Sequence, residues 1–338
     1  MRILEMRISL FSQNLGEAKK AVFDLSEFFE NKSTKTPDLY VEFSQEDGRK
    51  VNGKSLIEPA ILSKYNYDLL AQESLNGKTQ ASQNIVSTVF SKLGLGATVL
   101  NTGKITIAPQ PDQLGHLKYF GSAVASTLHL GKGYTKGLVY IKIKIGKTYL
   151  LFLNMHLPVM TAPKNGPPHD PTLGFEYRRT SFEYLLSEII KLKLIDSTTT
   201  VLIGGDLNFR QDAAGLDQLN VLLEAKKGYK TKLGRTLREL EFPEGSKKRI
   251  TCKFRNPLSR CRTRNMPPQG FNRKFIRKTQ KECGDDLRTP SRCDRFLILS
   301  DTEIKVAYHQ SEYVQRESDH NAILATIDIK ERPIRDKA

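Results

Sequence analysis

Polar clusters at the ends of apolar runs carry residue types suited to phosphate chemistry. Gly205-Asp206-Leu207-Asn208-Phe209-Arg210 follows the run TTVLIG. Residues two apart on an extended chain point the same way, so Asp206 and Asn208 can face one site. There a carboxylate and an amide would hold a water and a phosphoryl oxygen. An Asx turn closing a strand is the plainer reading of a lone D-x-N. Asn154-Met155-His156 repeats the period-two arrangement at the end of another run, Ser318-Asp319-His320 precedes the last one, and Cys293-Asp294-Arg295 opens FLIL. A buried carboxylate that orients an imidazole is a recurrent catalytic device, and Asp294 with His320 would suit it. Upstream, Asn14 and Gln45-Glu46 end the first two runs. Glu46 offers the carboxylate oxygens that a hard cation such as Mg²⁺ prefers, although any single Glu after a strand is more often a surface residue.

Bringing these groups together requires strands whose ends converge. Residues 7–13 read as a strand, and Ala18, Ala21, Val22, Leu25, Phe28 and Phe29 then mark one stripe of a helix. Pro37 opens the strand DLYVEF, while 48–85 is polar and without clear period. Residues 138–145 alternate, Gly146-Lys147 turns, and 149–154 returns, which predicts a hairpin. A Pro- and Gly-rich loop over 161–171 leads to a helix carrying Phe182, Leu185, Leu186, Ile189 and Ile190 on one face. Residues 199–204 are continuously apolar, as a central strand covered on both faces would be, and 296–299 and 322–329 add two more strands. The pattern predicts an α/β sandwich, two sheets face to face with helices outside. With no repeat and no linker, residues 1–338 form one domain in this reading.

Taken in order, Asn14, Gln45-Glu46, Asn154-x-His156, Gly205-Asp206-x-Asn208 and Ser318-Asp319-His320 match the signature of the endonuclease/exonuclease/phosphatase superfamily. Within it the chain resembles the inositol polyphosphate 5-phosphatases. The residues that carry this are GDLNFR, the segment Thr289-Pro290-Ser291-Arg292-Cys293-Asp294-Arg295 and Thr135-Lys136-Gly137-Leu138-Val139, with weaker parallels at Leu237–Pro243 and Thr251-Cys252-Lys253-Phe254. The resemblance runs from about residue 7 to 329 and is dense from 132 onward. It implies a four-layer, DNase I-like sandwich of two mixed β-sheets flanked by helices. It further implies Mg²⁺ held by Glu46 and Asn14, with Asp206, Asn208, His156, His320, Asp294 and Asp319 performing hydrolysis. Lys136, Arg210, Lys253, Arg288 and Arg295 would contact substrate phosphates. Either Asp206 or His320 can be the general base in this scheme. The chain departs from the family at Gln13, Arg292 and Cys252, where Trp, Trp and Tyr are usual, and it contains no Trp at all.

The formal net charge of +16 predicts an anionic partner. Inositol phosphates or phosphoinositides are the favoured substrates, with peripheral contact to an anionic membrane; nucleic acid, as for a nuclease of the same superfamily, is the runner-up. A non-catalytic scaffold that only binds anionic lipid is the alternative of another class, and the full catalytic set argues against it. Residues 245–290 hold 14 Lys/Arg against 3 Asp/Glu and read as a basic insertion, either an anion-facing loop or a merely solvated one. Cys252, Cys261, Cys283 and Cys293 lack zinc-ligand spacing and read as free thiols, with a disulfide the alternative that their even number leaves open. No run approaches a membrane span or a signal region, so an intracellular protein, cytoplasmic or membrane-peripheral, is expected. The sequence carries no indication of oligomeric state.

Overall fold

The computed structural model describes residues 5–15, 36–47, 56, 59–75, 84–107, 136–158, 171–210, 217–224, 229–230, 235–240, 293–301, 303–312, 320 and 322–330. Among them, two mixed sheets face each other. The first has six strands in the order β12 (Ile304–Glu312), β13 (Ala322–Lys330), β1 (Glu5–Asn14), β2 (Leu39–Asp47), β4 (Asn84–Lys92) and β3 (Tyr67–Leu75). The second has seven: β5 (Ala97–Thr106), β6 (Gly137–Ile145), β7 (Thr148–His156), β8 (Thr199–Asp206), β11 (Asp294–Leu299), β10 (Thr236–Glu239) and β9 (Tyr229–Lys230). Helix α1 (Pro59–Lys64) lies with the first sheet; α2 (Pro171–Lys191) and α3 (Gln218–Glu224) lie with the second.

Strand parity sorts the core into layers. Even-numbered residues of β7, β8 and β11, such as Phe152, Leu202, Phe296 and Ile298, meet Ile8, Leu10, Val41, Phe43 and Ile327 between the sheets. Odd-numbered residues, such as Leu151, Leu153, Val201, Ile203 and Leu297, pack outward against Phe182, Leu185, Leu186 and Ile189 of α2 and Leu219 and Leu222 of α3. The apolar stripe read from the helix sequence is therefore the face that covers the second sheet. Phe11, Tyr40, Phe90 and Leu324 form the outer face of the first sheet, under Leu56, Ile61 and Leu62.

The sandwich predicted from sequence is present. The hairpin is β6–β7, pairing Ile145 with Thr148 around a turn in which Gly146 takes the left-handed φ of 55°. The 48–85 stretch contains α1, β3 and the start of β4, and β5 and β12 were not read from the sequence. The helix expected at 18–29, the loop expected at 161–171 apart from Pro171, which opens α2, and the basic segment 245–290 lie outside the described residues.

Candidate active site

One end of the sandwich collects the polar strand ends. In the second sheet Gly137 pairs with His156, His156 with Asp206 and Asp206 with Asp294, so a single row crosses β6, β7, β8 and β11. His156, Asp206 and Asp294 share the inward parity of Phe152, Leu202 and Phe296 and therefore project toward the first sheet. From that sheet, parallel β1 and β2 bring Asn14 beside Gln45, and His320 stands just ahead of β13. The close approach of β8 depends on two glycines. A Cβ at Gly204 would lie 2.3 Å from the Phe43 ring. Gly205 has φ 126°, and a Cβ there would lie 2.1 Å from the Met155 carbonyl oxygen.

Asp206 is the hub. Its Oδ2 accepts from Asn14 Nδ2 at 3.0 Å and lies 3.5 Å from His156 Nε2 and 3.7 Å from His320 Nε2. His320 Nδ1 is 2.7 Å from Asp294 Oδ2, which fixes the ring with Nε2 toward Asp206. The orienting pair read from spacing is thus in contact, with Asp294 fully buried and His320 nearly so. Asn208 follows in the left-handed region, φ 53°, its backbone N–H donating to Asp206 Oδ1 at 3.0 Å and its Nδ2 to the Leu157 carbonyl at 2.8 Å. Non-glycine residues take that conformation only where their surroundings hold them, and such positions concentrate at functional sites.

Glu46 is the second left-handed residue of the rim, φ 48°. Strand parity alone would turn it to the outer face of β2. The ladder to β4 slips between Ser44 and Asp47, and this bulge turns Glu46 inward instead. Its Oε1 lies 3.8 Å from both Lys136 Nζ and His156 Nε2. Lys136 Nζ also contacts Nε2 of His156. Burial pushes the His156 ring well below the usual imidazole range, with Lys136 and His320 adding to the effect, so this histidine is neutral at pH 7. Burial likewise lowers the Lys136 amine, against the pull of Glu46 and Asp206.

Oxygen donors for a hard divalent cation are therefore at hand in Glu46, Asn14 and Asp206, the first two being the pair expected from the resemblance. The ligand atoms of Asp206, Asp294 and His320 also lie within 4.8 Å of one another. The 2.7 Å contact between His320 and Asp294 commits one nitrogen and one oxygen of that group to each other, which leaves the Glu46 side better suited to a metal.

Other expectations come out differently. Asn154 shares the inward parity of His156, but its amide serves the framework: Gln45 Nε2 donates to its Oδ1 at 2.7 Å, and its Nδ2 donates to the carbonyls of Ser44 at 3.0 Å and Val86 at 2.8 Å. It fastens the two sheets just below the rim. Arg295, expected to bind substrate, has odd parity and is buried on the helix side of the sheet, bidentate to Glu239 and in contact with Asp217. There it stays fully charged, because the two carboxylates outweigh the cost of burial. Arg210 donates to Asn208 Oδ1 at 3.2 Å and so sits beside the rim. Asp319, Lys253 and Arg288 lie outside the described residues.

The sequence reading passed over Gln218. Its Oε1 accepts from the backbone N–H of Arg210 at 3.1 Å, and its own backbone N–H donates to the Arg210 carbonyl at 3.0 Å. A glutamine at a helix start has no distinguishing pattern; only the folded loop reveals its grip.

A sequence profile described as Endonuclease/Exonuclease/phosphatase family 2 matches residues 11–326, nearly the whole chain. The chain belongs to this family. Solved structures agree at the level of fold. The inositol polyphosphate 5-phosphatase domain of SPsynaptojanin, in complex with inositol (1,4)-bisphosphate and calcium ion, superposes with TM-score 0.58 at 19% identity, over 97% of this chain and 85% of that one. A Cimex nitrophorin in a ferrous NO complex gives TM-score 0.51 at 14% identity, over 97% and 99%. Truncated Caenorhabditis elegans TDP2 gives 0.49 at 15% identity, over 95% and 97%. A search of curated protein sequences finds no match. Since a nitrophorin shares the fold, membership of the endonuclease/exonuclease/phosphatase family rests on the profile match, and chemistry has to be read from the rim itself.

Proposed function

We propose that the chain is a Mg²⁺-dependent phosphatase that removes the 5-phosphate of inositol polyphosphates or phosphoinositides. The observation that carries the hydrolytic part is Asp206, contacted by Asn14 and faced by two imidazoles, one of them held by Asp294. Such a group can hold a water on a carboxylate while N–H donors meet a phosphoryl oxygen. Asp206 takes the proton of the attacking water. His320 presents Nε2 to the phosphate, its other nitrogen fixed by Asp294. Neutral His156, held beside Lys136, contributes from the opposite side. Glu46 and Asn14 would hold Mg²⁺, whose positive charge would offset that developing on the leaving ring oxygen.

Support for a monoester substrate comes from two cationic side chains that stand at the rim beside its carboxylates. Lys136 lies against Glu46 and His156, and Arg210 lies on Asn208. A terminal phosphate carries more charge than a diester and suits such a lining. The resemblance in GDLNFR and at Lys136-Gly137 supports the same choice, as does the similarity in fold to the 5-phosphatase domain. The single-domain organisation with a basic insertion at 245–290 belongs to this reading, with the insertion facing anionic substrate or membrane. The test is phosphate release from inositol trisphosphate, from phosphoinositide micelles and cleavage of abasic-site DNA, each with Mg²⁺. Release from either inositol substrate supports the proposal; cleavage of DNA alone replaces it with the nuclease.

A further inference from the structure

The apolar stripe of α2 contains a charge. Arg178 lies four residues before Phe182 and three after Phe175, on the face that packs the second sheet, and is only 3% exposed. Phe175 and Phe182 bracket it and both meet the Phe209 ring edge-on, at 6.3 and 6.1 Å between centroids. Arg178 therefore sits directly behind the Asp206–Arg210 segment, on the opposite side from the substrate rim.

Its bonding is unusual for a buried guanidinium. Nη2 donates to Gln218 Oε1 at 2.8 Å, the oxygen that also takes the Arg210 N–H, and Nε finds no partner. No carboxylate pairs with it among the described residues. Arg295 on β11 shows what the fold does with a guanidinium it only needs to bury: two carboxylates close on it. Burial and the neighbouring charge of Arg210, against a weaker pull from Asp206, lower the Arg178 pKa to about 10, which still leaves it charged at neutral pH. Burying a charge on a neutral partner costs stability that an apolar side chain would not. A site that keeps such a charge gains from its field.

We propose that Arg178 is a positioning residue whose charge, paired with no carboxylate and set behind the Asp206–Arg210 loop, is passed forward through Gln218 and attracts the phosphate to the rim. The proposal rests on the reading that this rim holds a phosphate group. Gln218 is the neutral coupling: it accepts from Arg178, grips both backbone groups of Arg210, and Arg210 in turn holds the Asn208 amide oxygen. A glutamate at 218 would still accept from Arg178 and from the Arg210 N–H but cancel the charge.

Binding of inorganic phosphate in the presence of Mg²⁺, measured by calorimetry beside the melting temperature, separates field from architecture. Arg178→Lys and Arg178→Met both lose the guanidinium bond to Gln218, and only the first keeps the charge. The expectation is that Arg178→Lys binds phosphate within a few-fold of wild type, while Arg178→Met binds about tenfold more weakly, as loss of one charge in a medium of intermediate dielectric implies. Arg178→Met should melt no lower than Arg178→Lys. Gln218→Glu gives a second reading should Arg178→Met not fold: an unchanged or higher melting temperature with a similar loss of phosphate. Equal phosphate binding by the Met and Lys variants, or wild-type binding by Gln218→Glu, overturns the proposal. So does a wild-type protein that binds no phosphate. Phosphate binding with this pattern but no turnover of inositol phosphates would remove the 5-phosphatase reading and leave the role of Arg178 standing.

Discussion

At the scale of the residue, the rim separates groups that act from groups that hold. Glu46 stands on a bulge, outside the core, so Glu46→Gln should abolish turnover with little change in melting temperature, and EDTA should reproduce the loss reversibly. Full activity in excess chelator would remove the metal from the mechanism. Asp294→Asn and His320→Ala should each lower kcat by orders of magnitude, and the double variant should be little worse than the poorer single one, because residues in one 2.7 Å contact act as a unit. Multiplicative losses would show that they act separately. His156 has its own signature. Its folded-state pKa is depressed, so below about pH 6.5 the unfolded chain takes up a proton that the folded chain refuses. Stability is then full above that pH and falls as pH drops, with a slope approaching about 1.4 kcal/mol per pH unit from this group. Melting curves from pH 7.5 to 5 should therefore be flatter for His156→Asn than for wild type; equal slopes would mean that the ring is protonated in the fold. Most of the residues at the rim were legible because strand periodicity and motif order agree on them. Arg295 falls on the helix side of the sheet because one residue along a strand is the opposite face, and a motif letter does not reveal parity.

At the scale of the element, the strand ends are brought into register by contacts that carry no chemistry. The Gln45–Asn154 amide pair ties β2 to β7 immediately below Glu46 and His156. Asn154→Ala would leave Gln45 Nε2 only a longer bond to Ser12 Oγ and remove the bonds to the Ser44 and Val86 carbonyls, and should cost about 3 kcal/mol in denaturant unfolding. A loss below about 0.5 kcal/mol would mean that water replaces the amide. Gly205→Ala meets both a positive φ and the Met155 carbonyl, so it should destabilise by more than about 3 kcal/mol or prevent folding. The strands of the site were visible in the sequence as uninterrupted apolar runs. β5 and β12 were not, because they are sheet-edge strands with mixed, half-exposed faces that break the alternation. The bulge at Glu46 was equally hidden, since it is set by pairing with β4, a partner some forty positions along the chain.

At the scale of the molecule, the chain carries a net charge of +16, and its rim presents Lys136 and Arg210. No described helix is long and apolar enough to cross a membrane. Neutralising Lys247, Lys248, Arg249, Arg273, Lys274 and Arg277 should weaken binding to anionic vesicles, each contributing on the order of 1 kcal/mol near such a surface, and the deficit should shrink as salt screens the attraction. Hydrolysis of a soluble inositol polyphosphate should change far less; parallel loss of both would place the segment in the catalytic pocket. The central claim, that this rim of strand ends removes one particular phosphate, is tested most directly by identifying the product. Incubated with inositol 1,4,5-trisphosphate and Mg²⁺, the protein should yield inositol 1,4-bisphosphate and free phosphate, resolved by chromatography, and Asp206→Asn should yield neither. Intact trisphosphate alongside cleaved abasic-site DNA, or loss of a phosphate other than the one at position 5, would contradict it.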